Sequence, residues 1–259
     1  MSKKIDKEDL KGPDVFVGTS DRVFAWVEKK AKVLVSIAVA VVVVVAGYMV
    51  ISYIQSVKEV NAAEALYVPE AELKKAEAAL REGRGDQIKD LLTKDAKVPP
   101  PAAPDYAKDY APKVDALMGQ LREHSGTKAA LISAMNLSYF LLQQKQFSQA
   151  MEALNLVKYN PKSSDLLNGF WQMHRGLTLI ENQQFDQALQ AYQSVVNAKE
   201  LSYFHPEALL KTGFAYELKG DEAKARETYE KIGRDFPRTD AATTAQQYIR
   251  LMELKAQKS

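Results

Sequence analysis

The chain has 259 residues, 46% hydrophobic and 26% charged, the make-up of one large globular domain or two small ones. A net charge of +2 gives no electrostatic footprint for nucleic acid. The absence of cysteine excludes disulfides, thiol catalysis and thiolate metal sites. Glycine is scarce at 12 residues, and Ala, Leu, Gln, Lys and Glu abound, so an all-α fold is expected.

Residues 1–20 mix Lys3, Lys4, Lys7 and Lys11 with Asp6, Glu8 and Asp9 ahead of Gly12-Pro13. They show no apolar periodicity and are expected to be a disordered cytoplasmic tail. Residues 21–55 follow as a juxtamembrane segment and a transmembrane helix. The run Val33–Ile54 has 22 residues and no charge. As a helix it covers roughly 33 Å, enough for the hydrocarbon core. Its many valines would favour a strand in water, but in lipid the backbone must satisfy its own hydrogen bonds, so helix wins. Trp26 precedes the run, and Tyr48 and Tyr53 sit towards its far end, as interfacial aromatics do. A cleaved signal peptide is the competing reading, but its core would be shorter and no small-x-small site follows. Val23, Phe24 and Val27 either lie on the membrane surface or simply lead into the helix.

Basic residues set the orientation. Arg22, Lys29, Lys30 and Lys32 precede the run, whereas Lys58 alone follows closely, beside Glu59 and Glu64. The expected location is a bacterial inner membrane, single-pass, with the N-terminus cytoplasmic and the C-terminal domain periplasmic.

Residues 56–104 read as a helical connector, broken near Pro69 and at Gly83–Gly85. It ends in the Pro-rich stretch Lys97–Pro104, expected as an extended spacer. Residues 106–123 form a further helix with Val114, Leu117 and Leu121 on one face, read as the second helix of a degenerate leading repeat.

Residues 105–259 are expected to hold a repeat domain. The stretch beginning Gln146-Phe147-Ser148-Gln149-Ala150 recurs as Gln184-Phe185-Asp186-Gln187-Ala188 and again as Gly220-Asp221-Glu222-Ala223-Lys224-Ala225. The aligned Ala150, Ala188 and Ala225 stand 38 and 37 residues apart. Thr127-Lys128-Ala129-Ala130 and Thr239-Asp240-Ala241-Ala242 lie 112 residues apart, three such periods. One period from two independent markers indicates an array. The segments resemble tetratricopeptide repeats, antiparallel helix pairs whose A and B helices meet at small residues. The positions carrying that packing are Ala150 in the first repeat and Gly176, Ala188 and Tyr192 in the second. In the third they are Gly213, Tyr216, Ala225, Tyr229 and Pro237. A helices are expected near 128–144, 166–182 and 206–218, and B helices near 147–158, 185–198 and 221–234. A final helix near 240–256 serves as a polar cap. The fold class is therefore a single N-terminal transmembrane helix followed by an α-solenoid.

Repeat register places a partner-binding groove on the A helices: Ile132, Met135, Tyr139 and Leu142; Phe170, Met173, Leu177 and Ile180; then Leu210 and Phe214, flanked by Glu207 and Glu217. These rows are largely apolar, suited to a hydrophobic helix or unfolded segment. Alternatively the chain's own helices at 60–95 or 106–123 fill the groove. His124, His174 and His205 fall at unrelated repeat positions without metal-ligand spacing. No nucleophile elbow, phosphate loop or zinc motif occurs. The acidic runs alternate with Lys and Arg as solvated helix faces do. No enzyme activity, metal or cofactor is expected.

Trp26 to Leu34 and Gly126-Thr127-Lys128-Ala129-Ala130, in this layout, resemble the YfgM family, ancillary subunits of the SecYEG translocon. That resemblance implies a scaffold handing secreted or membrane clients from the translocon to periplasmic chaperones. The Pro-rich insert makes this chain longer. Tyr229–Ile249 also resembles repeats of outer-membrane assembly and Tol–Pal-associated proteins, which implies a structural adaptor instead. Partners are thus proteins and the membrane, not nucleic acid, and a homo-oligomer stays open.

Overall fold

The computed structural model describes residues 15–93 and 105–257. The expected Pro-rich spacer and the first part of the tail lie outside the described residues. Every regular element among those described is helical. The chain divides into two compact units, Met1–Val57 and Lys58–Ser259.

The first unit carries the apolar run. Its helix α1, Val15–Thr93, continues into the second unit. The side chains of Val33–Ile54 are exposed almost throughout. No polar stripe interrupts them, and Ser36 turns its hydroxyl back to the Lys32 carbonyl at 2.9 Å. The segment is long and apolar enough to cross a membrane.

The second unit begins at Lys58, and the described part of the stretch read as a connector belongs to it up to Thr93. Ala62, Leu66 and Leu73 fall on one face of α1 and are buried against α3 (Ala111–Glu123), α4 (Lys128–Gln143) and α5 (Phe147–Asn155). Neither Pro69 nor Gly83–Gly85 breaks this helix. Pro69 forgoes one backbone hydrogen bond, but it lies between Leu66 and Leu73, whose burial holds the helix on both sides. Residues 106–123 form two helices, α2 (Tyr106–Asp109) and α3, separated at Tyr110. In this leading unit the stretch of α1 after Lys58 packs with α3 through buried side chains.

Three clear repeats follow: α4 and α5; α6 (Leu166–Glu181) and α7 (Phe185–Asn197); α8 (His205–Lys219) and α9 (Glu222–Asp235). The last helix, α10 (Asp240–Ala256), packs on α8 and α9. Each A-to-B turn is the same device. Lys145, Gln183 and Gly220 adopt left-handed φ of 58°, 59° and 84°. The following residue's N–H reaches back to a carbonyl of the A helix: Gln146 to Leu141 and Gln184 to Leu179 at 2.8 Å, Asp221 to Tyr216 at 2.9 Å. This is a Schellman closure repeated three times. Thr127 and Thr239, the long-range sequence markers, are both N-caps, accepting from the N–H groups of Ala130 and Ala242 at 3.1 and 3.2 Å.

The small residues set the helix spacing. A Cβ at Gly176 would lie 2.5 Å from the Tyr192 ring, and one at Gly213 closer still to Tyr229. Ala150, Ala188 and Ala225 are all fully buried. In the first repeat Ser138 stands at the glycine position, and its hydroxyl lies 3.2 Å from that of Thr178. Tyr216 is half-buried, with the Lys224 ammonium 5.6 Å from its ring centre. Pro237 departs from its expected packing role: it is exposed in the turn after α9, where it ends a helix rather than joining two. The cap is less polar than expected, since Leu251 and Leu254 are exposed.

Candidate functional site

The A helices carry the candidate docking face, and each apolar row splits in two. Ile132, Tyr139 and Phe170 are 42%, 55% and 55% exposed. Met135, Leu142, Met173, Leu177 and Phe214 are half-buried. Ile180 and Leu210 are core residues, packed respectively beside Tyr192 and beside Tyr229 and Ile232, so they line no open groove. The cause is helix geometry. A step of three residues turns the side chain back by about 60°, whereas seven residues nearly restore its direction. Ile132 and Tyr139, or Phe170 and Leu177, therefore share a direction, and Met135 or Ile180 turns inward.

The chain's own helix covers part of the face. The half of α1 beyond Lys58 lies beside α4, yet Ile132 and Tyr139 stay open. The Glu59 carboxylate accepts the N–H groups of Lys128 and Ala129 at 2.8 and 3.1 Å, so it caps α4 together with Thr127. The leading helix otherwise meets α3 and α4 through side chains, without the close backbone approaches of the later helix pairs. An open cleft results.

Aromatic residues fill the joints. Tyr110 is buried edge-on against Phe140, with ring centres 5.0 Å apart. The Tyr106 hydroxyl donates to the Gln149 side chain, and burial, with Asp115 nearby, pushes its pKa up to about 12. The long turn after α7 holds a short 3-10 helix, Lys199–Phe204. Its Phe204 lies over Gly169 and packs edge-on against Phe170 at 4.9 Å. The apolar residues Leu201, Tyr203 and Phe204 in this turn were the available sequence signal for the plug.

The histidines stand apart from one another. His205 Nε2 lies 2.9 Å from the Ala198 carbonyl. His124 ends α3. His174 is half-buried on α6, its Nε2 has no hydrogen-bond partner among the described residues, and burial lowers its pKa.

Among the described residues these surfaces offer packing and hydrogen bonding rather than a convergent acid–base constellation. A tetratricopeptide-repeat family model matches residues 207–239, which cover most of α8 and all of α9. No curated protein and no solved structure matches the chain. A tetratricopeptide repeat is therefore present, and the fold is of the kind that serves protein–protein interaction.

Proposed function

We propose that the protein is a membrane-anchored protein-interaction scaffold. Val33–Ile54 crosses a bacterial inner membrane, the N-terminus is cytoplasmic, and the repeat array works in the periplasm. The observation carrying the interaction reading is the open apolar row Ile132, Tyr139 and Phe170 on successive A helices. The excess of basic residues ahead of the apolar run supports the orientation. The resemblance to the YfgM family favours a role beside the translocon, receiving secreted or membrane proteins and passing them to periplasmic chaperones. A structural adaptor in envelope assembly is the second reading, favoured by the likeness of Tyr229–Ile249 to repeats of such proteins.

In-cell photo-crosslinking from positions 132, 139 and 170 tests both. Capture of Sec components or chaperones is expected, and capture of Tol, Pal or outer-membrane assembly proteins alone moves the role to the adaptor. Crosslinks only within the chain remove the open face as a docking site. Protease added to spheroplasts should shave residues 60–259; protection of that stretch overturns the orientation.

A further inference from the structure

The two edges of the repeat array differ in how their cations are paired. At the edge of the A-to-B turns, Lys219 pairs with Asp186 and Lys224 with Asp221, leaving Lys145 among the exposed Glu181 and Glu222. At the other edge the A helices begin and the B helices end. There Lys128, Lys158, Lys162, Lys199 and Arg238 are exposed, and none has an ion-pair partner among the described residues. Exposed Glu123, Asp165, Glu200 and Asp240 are spread along the same edge.

We infer that the part of this edge carrying Lys128, Lys158 and Lys162 rests on the anionic phospholipid headgroups of the membrane that Val33–Ile54 crosses. The inference rests on the anchored reading of the apolar run and adds a second, peripheral contact with lipid.

Chain length puts this edge within reach of the membrane. Glu59 follows Ile54 by five residues, at most about 18 Å of chain however the two units are turned. Its carboxylate accepts the Lys128 and Ala129 N–H groups, so the first turn of α4 is held at that tether. The loop after α5 is pinned beside it, because the Lys158 and Tyr159 N–H groups both donate to the Ser125 carbonyl, at 2.8 and 3.1 Å. Lys58, Lys128, Lys158 and Lys162 therefore gather near the tether, against the exposed carboxylates of Glu123 and Asp165, while Glu59 is engaged in the α4 cap. Ammonium groups on flexible stems suit phosphate as point charges. Further along the edge Leu166 and Tyr203 are open, Tyr203 to 82%. Both side chains suit the boundary between headgroups and acyl chains. A small soluble anion would leave these two in water, whereas a lipid surface meets the lysines and the apolar side chains together.

The chain has no cysteine, so a single introduced one can carry a label. Ser164→Cys marks this edge and Ser148→Cys the opposite one, both at exposed positions. Each full-length variant carries nitrobenzoxadiazole and sits in nanodiscs of equal parts phosphatidylglycerol and phosphatidylcholine, doped with a lipid bearing a nitroxide on its headgroup. Fluorescence should be quenched at position 164 and not at 148. Each lysine near an anionic surface favours contact about fivefold, so Lys158→Gln should lower the ratio of contacting to free edge, read at position 164, by about that factor. Salt at about 1 M shortens the screening length to about 3 Å and should bring the quenching at 164 down towards that at 148. Equal quenching at the two positions overturns the inference. So does quenching at 164 that ignores both Lys158→Gln and salt, or that is as strong in discs of phosphatidylcholine alone. A chain that co-elutes with the discs but shows no quenching at 164 removes this inference and leaves the anchor. A chain that fails to co-elute with the discs removes the anchored reading itself.

Discussion

Tyr192 and Tyr229 occupy the same place in successive repeats, 37 residues apart, but their hydroxyls have opposite fates. Tyr229 donates to Glu217 at 2.7 Å. Tyr192 is fully buried and its hydroxyl has no partner among the described residues. The residue standing where Glu217 would accept is Ile180. Removing a hydrogen bond to a charged acceptor costs about 1.5–3 kcal/mol. Glu217 is half-exposed and regains water, so Tyr229→Phe should fall at the low end, about 1.5 kcal/mol. An unpaired buried hydroxyl instead carries a desolvation penalty of about 1–3 kcal/mol. Tyr192→Phe should therefore leave stability unchanged or raise it by about 1 kcal/mol. The assay is urea unfolding of the full chain in detergent, in a Trp26→Phe background so that Trp171 reports on the repeats. With an m-value of about 2 kcal/mol/M, Tyr229→Phe should lower the midpoint by about 0.7 M. Equal losses in the two variants, or a larger loss in Tyr192→Phe, would refute the reasoning.

Gly176→Ala and Gly213→Ala should each cost about 1–3 kcal/mol, because the new methyl meets a tyrosine ring. In the same urea assay, Gly176→Ser combined with Tyr192→Leu should recover most of that loss, since it copies the Ser138 and Leu154 of the first repeat. Lys145→Gly and Gln183→Gly should each raise stability by about 0.5–1 kcal/mol, and Gly220→Ala should lower it by about 1 kcal/mol, since all three positions need left-handed backbone. Glu59→Ala should cost about 1 kcal/mol through loss of the α4 cap, and hydrogen exchange should quicken first at the start of α4. Burial lowers the pKa of His174 in the folded chain. The unfolded chain therefore takes up the proton more readily, so this contribution to stability is complete above about pH 6.5 and is lost as pH falls through the folded-state value. His174→Leu should flatten the fall in urea midpoint between pH 7.5 and 5, and an unchanged pH profile would count against the buried imidazole.

The repeat array was legible because its packing rule uses few residue types. A glycine facing a tyrosine ring, and an alanine at each crossing, leave a spaced signature that no surface requirement blurs. The docking face was less legible. Ile132 and Ile180 are equally apolar letters at the first and last positions of their rows, and only the rotation of a real helix sends one outward and the other against Tyr192. The plug at Phe204 was hidden because its partner is an absence, the missing side chain of Gly169.

The leading repeat was the hardest to see, for an instructive reason. Its A helix has no start signal of its own, because α1 is already helical when it reaches Lys58. The usual punctuation is therefore missing, while Pro69 and Gly83–Gly85 supply punctuation that the helix overrides. What places this segment in the array is a face of small and aliphatic residues, Ala62, Leu66 and Leu73, with Glu59 one turn earlier bonded to the α4 terminus. The step of four residues from Ala62 to Leu66, and of seven from Leu66 to Leu73, keeps a single stripe across the proline. A stripe that continues in phase through a proline argues for one packed helix rather than two loose ones. The same helix then forms one wall of the open cleft beside α4, so the segment read as a connector lines an accessible surface as well as packing the core.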